Sequence, residues 1–294
     1  MRTRVRMGRY AVSVGCALAL VVAAGCGGDG GDGGDESAEV TPTTAAAGAN
    51  GDLLALVTSS DGLLAPGLDA LVLNLYTQPG TAITVVAPAA VDPAAGAPPG
   101  EAPPSNFGPT AGGYPGVEIQ ADPATTVTAA LSGGIEGVTA GAHLVVVGVN
   151  EGQMLGPLGA LDSDVTAAQA AVAAGIPALV VAAGSDEVPP DYPAAIAQVV
   201  SWLEEHRDAL LAGDEPAQVN VLNVPGCGFA AVRGLAEVPV ATDAAGRNGS
   251  VVDCASTAED PADDIAAFTT GFAALSVLPA AAAPAATATT AVTG

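Results

Sequence analysis

The chain has 294 residues, half of them hydrophobic but only 3% aromatic, and it contains no lysine. Its seven basic residues are arginines set against 31 acidic side chains, for a formal net charge of −24. Such a length admits one large domain with a core of Ala, Val and Leu. The charge excludes binding of nucleic-acid polymer, because no basic patch exists to displace counterions from a phosphate backbone, and it excludes adhesion of the folded domain to an anionic membrane surface.

Arg2, Arg4, Arg6 and Arg9 precede an apolar stretch from Tyr10 to Ala24, which is too short for a comfortable membrane span. Ala23-Ala24-Gly25-Cys26 follows, and then Gly-Gly-Asp repeats. A basic start, an apolar stretch and small residues before a cleavage point predict an export signal over residues 1–25. Small residues directly before Cys26 also have the form of a bacterial lipoprotein signal. In that case Cys26 is lipidated and the protein is a cell-envelope lipoprotein that meets the membrane through its anchor alone. The alternative is plain secretion. All 31 acidic residues follow Cys26, so a mature chain with three arginines carries −28. Residues 26–50, rich in Gly and Asp and poor in large apolar side chains, predict a disordered tether.

Leu53–Val57 is a short apolar run ending in Thr58-Ser59-Ser60-Asp61-Gly62, the pattern of a buried strand and a polar turn. Helical spacing follows over 68–76, then a strand over 83–88. The Pro/Gly-rich stretch 89–116 predicts a long loop. Pro123 opens a helix through Leu131, His143–Val149 is the clearest buried strand, and 162–174 is an Ala-rich helix ended by Gly175. Further elements are a strand over 177–182, an amphipathic helix from Tyr192 to Leu211 with Gly213 as C-cap, and a strand over 219–224. Beyond 225 the pattern predicts extra antiparallel strands, including 233–240 and one near 272–278. Residues 280–294, rich in Ala, Thr and Pro, predict a disordered tail. This alternation predicts an α/β fold, a doubly wound, mainly parallel Rossmann-like sheet, occupying 51–279. Ligands of such sheets bind beyond the carboxyl ends of the strands, which directs attention to the turns after Val57, Val86 and Val149. In an exported chain the remaining pair Cys227 and Cys254 predicts a structural disulfide. No Cys/His cluster suggests zinc, and neither a Gly-x-Ser-x-Gly elbow nor a P-loop is present.

Several blocks carry a resemblance. Val57-Thr58-Ser59-Ser60-Asp61-Gly62 with Ala65-Pro66-Gly67, Val85–Pro88, Val147-Gly148-Val149-Asn150-Glu151-Gly152 with Leu155-Gly156-Pro157, Gly175–Leu179, and Leu222-Asn223-Val224-Pro225 occur in that order. Together they resemble the SurE-type survival-protein nucleotidases. The resemblance implies a SurE-like fold and a phosphomonoesterase (a 5′- or 3′-nucleotidase) acting on nucleoside monophosphates. It also implies a divalent metal, Mg²⁺ or Mn²⁺, held by hard oxygen ligands, and a tendency to form a homodimer. Carried across, Asp61 keeps one catalytic, metal-binding aspartate and Asn150 keeps the metal-binding asparagine. Ser60 replaces the other aspartate, a weak ligand in its place, and Ser59 replaces the Asn before it. A ligand serine is replaced by Pro93, for which Ser105 is a weak substitute. An asparagine is replaced by Met154. The phosphate-cradling Ser-Gly-Thr turn becomes Asp162-Ser163-Asp164. Losing one carboxylate weakens a Mg²⁺ site, and two new ones repel phosphate unless a metal lies between. Asp61, Asn150, Asp162 and Asp164 form one alternative oxygen cage. The plainer role for Asp162 is a helix N-cap, with Asp164 favourable in the first turn. Two functions therefore stand open: an altered but working nucleotidase, or a catalytically inactive envelope protein that keeps the fold and binds.

Overall fold

The computed structural model describes residues 51–89, 102–184, 189–243 and 251–278. The export signal, Cys26, the tether, Pro93 and the tail from 280 onward lie outside the described residues. In chain order the elements are β1 (Leu53–Thr58), α1 (Pro66–Tyr76), β2 (Thr81–Pro88), β3 (Ser105–Pro109), β4 (Pro115–Ile119), α2 (Pro123–Ser132), β5 (Leu144–Glu151), α3 (Gly156–Gly159), α4 (Ser163–Ala173), β6 (Ala178–Ala183), α5 (Tyr192–Ala212), β7 (Val219–Val224), β8 (Leu235–Glu237), α6 (Asp264–Thr269) and β9 (Ala273–Leu278). No helix among the described residues is long and apolar enough to cross a membrane.

The strands form one sheet in the order β3-β4-β2-β1-β5-β6-β7-β9-β8. The six strands from β4 to β7 in that order run parallel. β9 runs antiparallel to β7, and β8 pairs parallel with β9, so both C-terminal strands oppose the main direction as expected. The central strands β1, β5 and β6 are apolar up to their carboxyl ends because both faces are covered. Leu53 and Val57 of β1 pack with Leu68, Leu71 and Leu75 of α1 and Val199 and Leu203 of α5. Leu56 of the same strand joins the opposite cluster with Val127 of α2 and Val165 and Ala168 of α4. Each fully buried Leu or Val contributes about 1.5–3 kcal/mol relative to exposure.

Four segments differ from expectation. The stretch 89–116 is not all loop: it holds β3 and the start of β4, an antiparallel pair in which Ser105 faces Ile119 and Pro109 faces Pro115. Proline and glycine hid these strands, and at an edge both are tolerated. The strand expected over 233–240 shrinks to Leu235–Glu237, and Gly156–Gly159 and Asp264–Thr269 are short helices that no periodicity announced.

Strand order fixes the place of interest. From β1 the chain winds outward through β2 to β4, then returns to lay β5 on the other side of β1. The turns after β1 and β5 therefore leave the sheet in diverging directions from adjacent strands and open a crevice at the switch point. Two glycines allow the surrounding elements to close in. A Cβ on Gly67, in the first turn of α1, would lie 1.8 Å from the Val149 carbonyl oxygen, so α1 seats its first turn on β5 only because that residue is glycine. Gly148 has φ 125°, and a Cβ there would lie 2.3 Å from the Val181 carbonyl oxygen.

Candidate active site

The turn after β1 is shaped by Ser59, which is buried; its hydroxyl accepts a bond from the Asp61 N–H at 3.3 Å, and its carbonyl accepts from the Gly62 N–H at 3.2 Å. This leaves the Asp61 side chain exposed at the rim. Partial loss of water around its carboxyl from the surrounding turns, then the nearby carboxylates of Glu151 and Asp162, push Asp61 above the ordinary carboxylate range. The turn after β1, the end of β5 and the start of α4 thus meet at one acidic spot.

Asp164 joins them from inside. It has no exposed surface. One carboxylate oxygen accepts the Ser60 N–H at 2.7 Å, and the other accepts the Asn150 side-chain N–H at 3.1 Å. Burial pushes the Asp164 carboxyl up to about 6, against the lowering effect of the bonds from Ser60 and Asn150. Asp162 caps α4: its carboxylate accepts the Asp164 N–H at 2.8 Å. Ser163 between them is exposed. Since the Asn150 amide nitrogen is committed to Asp164, the bond orients its amide and leaves the carbonyl oxygen to serve as an acceptor or ligand.

Two further residues belong to the rim and were not foreseen. Glu151 follows Asn150 directly, and Tyr192, the first residue of α5, donates its hydroxyl to the Glu151 carboxylate. Burial, then that bond and the negative charges of Glu151 and Asp61, push the Tyr192 phenol upward. Glu151 was signalled by its neighbour Asn150. Tyr192 is distant in sequence, and only the return of α5 over the α1 face brings it here.

The other expected residues fall as follows. Ser60 supplies a backbone N–H, to Asp164. Ser105 begins the edge strand β3, separated from β1 by β4 and β2, so it is not brought to the Asp61 turn. Met154 is buried, and its backbone N–H and C=O are both clamped by the Asn223 side chain of β7, at 2.6 and 3.0 Å. This gives the Leu222-Asn223-Val224 block a structural role: it ties the segment after β5 to the neighbouring half of the sheet. Cys227 and Cys254 are bonded across a sequence separation of 27, as expected.

The site suits a hard cation in its donor chemistry. Asp61 and the Asn150 carbonyl are oxygen donors, and the repulsion among Asp61, Glu151 and Asp162 would be relieved by a positive ion. Among the described residues no three acidic, His or Cys side chains converge to hold a metal directly. One carboxylate and one amide fit Mg²⁺ or Mn²⁺ held with most of its waters, the usual habit of Mg²⁺.

The survival protein SurE family model matches residues 55–247, which include both turns of the crevice. Among solved structures, the crystal structure of SurE protein from Aquifex aeolicus is similar with a TM-score of 0.58 and 19% identity. That match covers 78% of this chain and 94% of the Aquifex chain. No curated protein sequence matches the chain.

Proposed function

Because the chain belongs to the SurE family, whose members are generally nucleotidases or phosphatases, we propose that the crevice between the β1 and β5 turns is a metal-dependent phosphomonoesterase site for nucleoside monophosphates. We further propose that it works outside the cell on a protein anchored through Cys26. The observation that carries this reading is the Asp164 carboxylate, which takes the Ser60 N–H of the β1 turn and the Asn150 amide of β5 and so brings Asp61 and Asn150 to one crevice, with Glu151 and Asp162 near enough to raise the Asp61 carboxyl. Asp61 and the Asn150 carbonyl would hold a divalent ion; bound there, the ion would neutralise the phosphate and activate a water for in-line attack. Asp164 keeps the two turns together and aims the Asn150 amide.

Phosphate release from a nucleoside monophosphate such as AMP, measured with Mg²⁺ and with Mn²⁺, tests the proposal. Turnover that needs the ion and falls at least a hundredfold in Asp61→Ala is expected. No release with any divalent ion removes the reading.

One observation favours a second reading, a non-catalytic binding protein of the envelope. In the turn that by resemblance would cradle phosphate, the Asp164 carboxylate is buried and both its oxygens are engaged. That reading predicts no turnover and no gain in melting temperature with divalent ions.

A further inference from the structure

A nucleoside monophosphate would bring its phosphate charge towards Asp61, Glu151 and Asp162. The phosphate end therefore supplies little affinity beyond what the ion returns, and the neutral part of the substrate must supply the rest. Remote, non-reacting groups are a general source of such binding energy.

The structure offers a place for that part beside the crevice. A groove of about 690 Å³ runs between the outer faces of α1 and α5, within the size range of small-molecule sites. Leu73 of α1 and Ile196, Ala197 and Val200 of α5 supply apolar walls, with Asn74 as a polar group. Leu73 is 47% exposed, an apolar side chain left open to solvent in the middle of a helix. Tyr192 belongs to both regions. Its ring lines the groove, and its hydroxyl donates to Glu151 at the crevice rim. The missing side chain of Gly67 makes room for this ring: a Cβ there would lie 3.2 Å from Tyr192 Cε1.

We propose that the α1–α5 groove receives the nucleoside portion of the substrate, the flat base packing on the Tyr192 ring and against Leu73, Ile196 and Val200. The proposal rests on the phosphomonoesterase reading for the phosphate end but not for the base. Continuity with the crevice through Tyr192 favours this occupant over a second copy of the chain, which would have no need to reach Glu151.

Titration calorimetry of adenosine, which has no phosphate, into the full chain in the presence of a chelator tests it. Adenosine binds the wild type, and Leu73→Glu and Ala197→Glu each weaken that binding at least tenfold. Both positions are exposed on helix surfaces, and retained melting temperatures verify that the variants fold. Absence of adenosine binding to the wild type overturns the proposal. So does equal binding by both folded variants, or a dimer in solution that Leu73→Glu dissociates, because the groove would then belong to a second copy. A protein that binds adenosine in this way but releases no phosphate loses the phosphomonoesterase reading and keeps this one. An active phosphatase indifferent to adenosine does the reverse.

Discussion

Two buried aspartates, Asp264 at the start of α6 and Asp164 at the start of α4, are treated differently by the fold. Asp264, at the start of α6, has 1% of its surface exposed and accepts three backbone N–H groups: Gly156 at 2.7 Å, Ala241 at 2.8 Å and Ile265 at 2.9 Å. Around it Leu155, Ala241, Ile265 and Phe268 form a small apolar cluster. Asp164, at the start of α4, is as deeply buried but accepts one backbone N–H and one side-chain amide, beside another carboxylate, Asp162. The first is a structural knot whose donors are fixed peptide groups. The second is a clasp across a crevice, with a proton affinity raised towards neutrality. Burial alone does not distinguish structure from chemistry; the kind of donor and the sign of neighbouring charge do.

The comparison is broken most forcefully at the knot. Asp264→Ala leaves three buried N–H groups without an acceptor, each costing about 1–3 kcal/mol. A loss of about 4 kcal/mol or more in denaturant unfolding is expected, and a loss under 1 kcal/mol would show that the knot is dispensable. Reduction of Cys227–Cys254 acts on the same C-terminal region through the unfolded chain. For a sequence separation of 27 the chain-entropy account gives about 3–4 kcal/mol, measured as the shift in midpoint with and without reductant.

The clasp is probed by pH. The folded Asp164 carboxyl titrates near 6 against an ordinary 3.8, so the native state binds this proton more tightly than the unfolded one. Its contribution is most favourable below pH 3.8 and is lost as pH rises through about 6, a span of about 3 kcal/mol. Asp164→Asn removes that slope, and unfolding curves between pH 4 and 7 in the presence of chelator should be flatter than those of the wild type by about this amount. A smaller effect belongs to the cap: Asp162→Ala costs α4 about 1 kcal/mol and takes one negative charge away from Asp61.

The difference between these regions also marks what sequence can reveal. Continuous apolar runs such as Leu144–Val149 are legible because a strand covered on both faces has no polar side to show. The crevice was legible as two motifs, Ser-Ser-Asp-Gly and Asn-Glu-Gly, because the resemblance marks both and because ligands of a parallel sheet bind beyond the carboxyl ends of its strands; that the two turns adjoin came from the strand order. Asp164 was legible as a residue but not as a clasp. A carboxylate in the first turn of a helix has the same pattern whether it faces solvent or turns inward to Ser60 and Asn150. Tyr192 was hidden because its place depends on α5 returning over α1, and β3 was hidden because its five residues contain a glycine and a proline. The Asn223 clamp on Met154 joins positions 69 apart, beyond the reach of any local pattern.

The central claim is that Asp61 and Asn150 at the switch point can hold a divalent cation. Titration of Mn²⁺ into the wild type, Asp61→Ala and Asn150→Ala by calorimetry tests it most directly. The account predicts one site in the wild type, weakened at least tenfold in each variant. Binding that is absent from the wild type, or that survives unchanged in both variants, would contradict it.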